Sequence, residues 1–151
     1  MLEEYEIKRN FKKTPEPSTN DFRKSSNKPI FVVQRHDARK LHYDFRLEMD
    51  GVLKSWAVPK EPPKDAGTRR LAIETEDHPL AYADFEGEIP AGEYGAGKVE
   101  IWDRGTFELL KREEREIVVA LEGDKLKGTY VLVRTKYGKG EKGWLFFKKV
   151  N

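Results

Sequence analysis

Leu41-His42-Tyr43-Asp44-Phe45-Arg46-Leu47-Glu48-Met49 alternates between apolar and polar side chains without a break. A period of two puts successive side chains on opposite faces of a β-strand. One face, with Leu41, Tyr43, Phe45, Leu47 and Met49, suits an apolar core; the other carries His42, Asp44, Arg46 and Glu48 in a row. Residues two apart on a strand stand about 6.6 Å apart at the backbone, so His42 and Asp44 can converge on one ion while Arg46 reaches an anion held there. The strand reads as the floor of an active site. Asp50-Gly51 follows it and predicts a type I′ hairpin, because both residue types tolerate positive φ. The return strand covers residues 52–58 and stops at Pro59.

Outward from this hairpin, residues 31–36 predict a strand entering the core and residues 71–76 the next strand, after residues 60–67, a loop by their proline and glycine content. Further strands are expected over 98–102, 106–110, 116–121, 129–134 and 144–149, parted by turns such as Gly123-Asp124 and Gly138-Lys139-Gly140. Many short strands without a long helical period predict a mainly β chain, an antiparallel barrel or sandwich over residues 30–151 with short flanking helices or turns. Trp56, Trp102 and Trp144 are expected in the core rather than as platforms for bases. Gly92, Gly95 and Gly97 do not form a phosphate cradle, since a strand rather than a helix follows and no Gly-Lys-Ser/Thr occurs. Residues 1–29 lack any apolar period and carry the basic patch Lys8-Arg9-Asn10-Phe11-Lys12-Lys13. Composition alone makes them a disordered basic tail; the functional reading is a phosphate-binding arm.

A chain of 151 residues with 37% hydrophobic content is expected to fold as one domain. Its 29 Lys and Arg against 27 Asp and Glu leave a net charge of only +2, so any binding to nucleic acid must rest on local clustering. The absence of cysteine excludes disulfides, thiolate metal sites and cysteine nucleophiles, and fits a reducing interior. Apolar runs at 117–121 and 144–147 are far too short for a membrane helix, and Met1-Leu2-Glu3-Glu4 does not open a signal peptide. A soluble cytoplasmic protein is expected.

The three histidines, His36, His42 and His78, all fall in or at the ends of expected strands. Each alone reads equally as a satisfied polar residue, but the His42-x-Asp44 pair on one strand face weighs toward a ligand set. Two imidazoles and a carboxylate suit an Mn, Fe or Zn ion with positions left open for substrate. A non-heme iron oxygenase using His42, Asp44 and His78 is one reading. Arg46, Lys60, Arg69 and Arg70 near the same strands favour phosphate chemistry, because guanidinium groups bind phosphate bidentately and offset charge that grows in phosphoryl transfer.

Longer motifs sharpen this. Residues 36–48, Leu53-Lys54-Ser55-Trp56-Ala57-Val58-Pro59-Lys60, Glu76-Asp77-His78-Pro79-Leu80-Ala81-Tyr82 running on to Gly87, and Ile89-Pro90-Ala91-Gly92-Glu93-Tyr94-Gly95-Ala96-Gly97 together resemble the 3′-phosphoesterase domain of bacterial DNA ligase D. The likeness continues through Trp102-Asp103-Arg104-Gly105 and more weakly to Trp144, and covers nearly the whole chain. With no polymerase or ligase segment beside it, the chain resembles a free-standing member. The resemblance implies a compact β-barrel holding Mn2+, or Co2+ or Zn2+ at the same site, on His36, His42 and Asp44. It implies that Arg46 and His78 contact the scissile phosphate, with Tyr82 and Glu76 among the catalytic residues. Lys60 and Arg70 match other positions of the family's site. Arg9 and Glu16 match the N-terminal element, which makes the arm an ordered contributor; Asn10 stands where the family usually has Asp.

The activity implied is that of a hydrolase of nucleic-acid 3′ ends in non-homologous end joining. A 3′-terminal ribonucleoside is removed first, as by a ribonuclease, and the remaining 3′-phosphate then leaves a 3′-hydroxyl. A separate DNA ligase and end-joining proteins are the partners implied, with no membrane. Beside this stand the oxygenase and, from another class, a non-catalytic barrel binding nucleic-acid ends through Arg46, Arg70 and the basic arm.

Overall fold

The computed structural model describes residues 28–93, 96–135 and 142–150. Arg9, Glu16 and the rest of the expected arm up to residue 27, and the turn Gly138-Lys139-Gly140, lie outside the described residues. The alternating stretch is strand β2, Leu41–Met49, paired antiparallel with β1, Ile30–Asp37, and with β3, Val52–Val58. Positive φ at Asp50 (59°) and Gly51 (79°) makes the β2–β3 link the expected mirror-image turn. The remaining strands are β4, Arg69–His78; β5, Gly87–Ile89; β6, Gly97–Glu113; β7, Glu116–Gly123; β8, Lys127–Arg134; and β9, Gly143–Lys148.

Neighbours run β1-β2-β3-β4-β9-β8-β7-β6, every pair is antiparallel, and β6 returns to pair with β1. Eight strands thus close into a barrel, which leaves those strands without a free edge, and β5 is an additional strand on β6. Closure decides between the barrel and the sandwich that the strand pattern left open. The odd-numbered face of β2 fills the lumen: Phe45 stacks on Phe146 at 4.5 Å and meets Phe31 and Trp56, each at 6.2 Å between ring centroids. Trp56 and Trp144 are buried there as expected, while Trp102 is half-buried against the same core with the Lys125 ammonium over its ring.

One local expectation needs correction, and two short elements carry no signal in the sequence. The strands expected at 98–102 and 106–110 are one strand of 17 residues, because β6 keeps its course while changing neighbours: Lys98–Thr106 face β1, and Gly105–Glu113 face β7. The polar break at Asp103-Arg104-Gly105 is an anchor rather than a turn. Buried Asp103 accepts the backbone N–H groups of Asp124, Lys125 and Leu126, and Gly105 lets the Glu122 carbonyl approach where a Cβ would collide. Residues 80–84 form a 3₁₀ turn, Leu80–Asp84, and residues 87–89 form β5, neither of which has a periodicity long enough to read. No helix among the described residues is long and apolar enough to cross a membrane.

Candidate active site

The even-numbered face of β1 and β2, continued by the odd-numbered residues Leu53, Ser55 and Ala57 of β3, points away from the lumen, yet most of it is buried. Leu80, Tyr82, Ala83 and Phe85, from the 3₁₀ turn and the residue after it, pack over Ile30, Val32 and Leu53 as a second small core. Against this cover the polar row is assembled. Antiparallel register sets His36 directly opposite His42, with ring centroids 4.8 Å apart. Asp44 lies between the two rings: its Oδ2 is 3.6 Å from His36 Nδ1 and its Oδ1 is 3.2 Å from His42 Nε2. One ligand atom from each of the three lies within 4.8 Å of the others, the one such group of three among the described residues.

The donor set fits a divalent transition metal. His42 Nδ1 is 3.1 Å from the Lys40 carbonyl oxygen, so its proton belongs on Nδ1 and the lone pair on Nε2, which faces Asp44. That is the tautomer and second contact a metal-binding imidazole needs. Burial pushes the Asp44 carboxyl up, but the Arg46 charge and the hydrogen bonds from His36 and His42 outweigh it and hold the group far below the usual carboxylate range. Burial pulls His42 down; its hydrogen bond to Asp44, the Asp44 charge and the Lys40 carbonyl together win, so its pKa is raised. Two nitrogen donors, an ionised carboxylate and no thiolate suit Mn2+, Co2+ or Zn2+.

Arg46 is fixed on every side. Its Nε donates to Gln34 Oε1 at 2.6 Å, one Nη to the Ser55 hydroxyl at 2.8 Å, and the other lies 3.4 Å from Asp44 Oδ2. The Tyr82 ring covers its guanidinium carbon at 4.9 Å. These contacts use three of the five N–H donors of a guanidinium, so two remain on a group that cannot swing. Gln34 in turn donates to the carbonyls of Tyr82 and Phe85, tying the covering segment to Arg46. Sequence reasoning missed Gln34 and Ser55; the available signal was a polar residue at an otherwise apolar or aromatic strand position, on the same alternating face as His36 and Arg46.

His78 arrives by a bulge. Ser55 pairs with Thr75 but Leu53 pairs with His78, so Glu76 and Asp77 both fall opposite the single residue Lys54. The extra residue changes the phase of β4 and turns His78 onto the outer face, a common use of bulges beside active sites. Its Nδ1 is 2.9 Å from the Glu76 carbonyl oxygen and its ring lies 5.2 Å from Tyr82. Glu76 therefore bears on His78 through its backbone.

His36, His42, Asp44, Arg46, His78, Tyr82 and Glu76 thus form one contiguous group. Lys60 and Arg70 stand apart from it, in a cleft of about 330 Å³ walled by Pro59, Lys60, Arg69, Arg70 and Leu71, where Arg70 Nε donates to the Glu61 carbonyl. No contact between these two and the His-His-Asp group is seen among the described residues. Gly97, read as loop geometry, has φ of 136° and lies so close to the Asp37 carbonyl that a Cβ would collide with it; it helps seat the end of β1 that carries His36.

Residues 34–134 match the family model described as the DNA Ligase D 3'-phosphoesterase domain. Over 153 residues and 97% of its length, the chain is 51% identical to the multifunctional non-homologous end joining protein LigD of Pseudomonas aeruginosa. It is 51% identical over 138 residues (89% of the chain) to the protein of the same name from Mycobacterium bovis, and 46% over 155 residues (95%) to that of Mycolicibacterium smegmatis. The chain spans only 18%, 18% and 20% of the lengths of these three relatives.

Proposed function

The chain belongs to the DNA ligase D 3′-phosphoesterase domain family, and on that premise we propose that it is a metal-dependent 3′-end-processing phosphoesterase of DNA end joining. The observation that carries the reading is the group of buried His36, half-buried His42 and buried Asp44, with the Arg46 guanidinium against its carboxylate. His36, His42 and Asp44 hold Mn2+, or Co2+ or Zn2+ in its place. The bound ion supplies Lewis acidity toward a non-bridging phosphate oxygen and an acidified water. The residues do the rest.

Water oxygen bonds to phosphorus as the bond to the leaving oxygen breaks, and that oxygen must gain a proton. Arg46, locked by Gln34, Ser55 and Tyr82, offers its two remaining N–H groups to the phosphate oxygens on which charge grows, at no reorganisation cost. His78, its ring set by the Glu76 carbonyl and backed by Tyr82, takes the second phosphate contact and the proton transfer to the leaving group. Lys60 and Arg70 bind phosphate beyond the scissile one, and Arg9 and Glu16 of the arm, residues 1–29, complete the site of the barrel domain, residues 30–151. In the diester reaction the leaving group is a 3′-terminal ribonucleoside and a 3′-phosphate remains. In the monoester reaction the products are inorganic phosphate and a 3′-hydroxyl fit for a separate ligase in the cytoplasm.

The oxygenase reading required His78 as a ligand beside His42 and Asp44. His36 is instead the third member of the cluster, and His78 lies against Tyr82, which covers Arg46. The test is incubation of the Mn2+-loaded protein with a 3′-phosphate primer on a template. Expected is a 3′-hydroxyl product with release of inorganic phosphate, lost on chelation and indifferent to oxygen. Binding without turnover, or product formation that needs oxygen and a cosubstrate, would sink the proposal.

A further inference from the structure

We propose that the rim of the barrel at the metal end is a seat for the nucleic-acid backbone leading to the 3′ end, with Arg39, Lys40 and Arg69 as phosphate contacts. The inference rests on the end-processing reading of the site and adds residues that the site itself does not use. Arg39 and Lys40 occupy the exposed turn between His36 of β1 and His42 of β2, so they flank the cluster directly. Because Tyr43 pairs with Val58, the chain beyond β3 brings Lys60 past the start of β2. The cleft formed there with Arg69 and Arg70 continues the rim.

At the metal end Arg35 and Lys98 share Glu100, at 3.9 and 3.2 Å, but the cations of the turn and the cleft are not satisfied in that way. At the far end, Arg112 bonds to Asp50 at 2.7 Å, Lys111 to Glu116 at 2.8 Å and Lys54 to Asp77 at 3.2 Å. Arg39, Lys40, Lys60 and Arg69 have no ion pair among the described residues. The rim also carries acids: Glu61 is taken up by Lys64 at 3.8 Å, while Asp37, Asp65 and, on β5, Glu88 stand at the same end as these four cations. The exposed Arg69 guanidinium lies over the Phe147 ring at 4.9 Å, which steadies it. From the β1–β2 turn to β4 is between two and three strand spacings, roughly 12 Å, a span that successive phosphates of one strand can bridge. With a net charge of only +2, this local excess is what a polyanion can find.

The test measures kcat/KM on a 3′-phosphate primer–template across a salt series for the full chain and three variants. These are the pair Arg39→Gln with Lys40→Gln, the single Arg69→Gln, and Lys111→Gln at the far end, with thermal unfolding midpoints checking that each folds. Removing one cation from a phosphate should flatten the log–log salt slope by about 0.9, so by about 1.8 for the pair and 0.9 for Arg69→Gln, with no change for Lys111→Gln. Wild-type slopes in both rim variants would overturn the seat. So would equal flattening in Lys111→Gln, which would reduce the effect to bulk charge. If the wild type makes no 3′-hydroxyl at all, it is the end-processing reading that fails. Fluorescence anisotropy with the same duplex then reads the rim alone: weaker binding by the rim variants upholds the seat, and unchanged binding overturns it.

Discussion

At the scale of the residue, the polar face of β2 works through charge balance inside a covered site. Arg46 and Asp44 are both buried and only 3.4 Å apart, so neither can be removed innocently. Asp44→Ala leaves a buried guanidinium uncompensated and should cost about 3–5 kcal/mol, whereas Asp44→Asn keeps the volume; the Asn variant is therefore the one to assay, and it should lose Mn2+ binding and turnover together. Arg46→Lys keeps the charge but loses the planar fork. Turnover on a 3′-phosphate primer should fall by roughly 10²-fold or more with Mn2+ affinity little changed, and Arg46→Ala should be worse. Loss of metal in the Lys variant would instead make Arg46 a holder of Asp44. His42 fixes the pH dependence. Its pKa is raised above 6.5, so in the metal-free protein the stabilisation from its pairing with Asp44 is complete below 6.5 and is lost as pH rises through the raised value. Metal binding runs the other way, because Nε2 must be unprotonated: Mn2+ affinity, followed by the free-ion paramagnetic resonance signal, should climb by up to about tenfold per pH unit until that pKa is passed and then level. A flat profile between pH 6 and 8 would contradict the assignment of His42 as a ligand.

At the scale of the element, what is legible in the sequence depends on whether the information is local. The β2–β3 hairpin is legible to its residue limits, since an unbroken period of two and the Asp50-Gly51 turn both lie within a few residues. His42 and Asp44 are legible for the same reason, as a pair on one strand face; His36 joins them only through the family resemblance, since the register that sets it opposite His42 leaves no periodic trace. The β4 bulge is not, because what makes it is the pairing of Leu53 and Ser55 with residues about twenty positions later or more. Nor is the single course of β6, whose polar centre looks like a turn until Asp103 is seen holding three N–H groups of the β7–β8 connection. Gln34 and Ser55 escape because a hydrogen-bond partner leaves no periodic trace. The close approach at Gly97 gives a test at this scale. Gly97→Ala combines a strained φ with a clash against the Asp37 carbonyl and should destabilise the protein by about 1–3 kcal/mol in urea unfolding, with weaker Mn2+ binding as β1 is pushed from β6. Retained stability and affinity together would mean that the end of β1 tolerates being moved.

At the scale of the whole molecule, one set of strands serves two faces, a lumen filled with aromatic rings and an outer site roofed by residues 80–85. Phe45→Ala, which empties the position between Phe31, Trp56 and Phe146, should cost about 3–5 kcal/mol in chemical denaturation and lower the unfolding midpoint while leaving the His36, His42 and Asp44 side chains in place. A loss below about 1 kcal/mol would show that the lumen can collapse around the gap. The return of β6 to β1 also sets a timetable. On the ribosome the hairpin bearing His36, His42 and Asp44 emerges early, but the outer edge of β1 has no partner until Lys98–Thr106 have been made, roughly 60 residues later. During that interval the nascent chain carries the three proposed ligands on an open sheet whose β1 edge is unpaired. On the proposed ligand set, tight metal capture would wait until Lys98–Thr106 have been made, and the ion would meet a closed barrel rather than an open sheet.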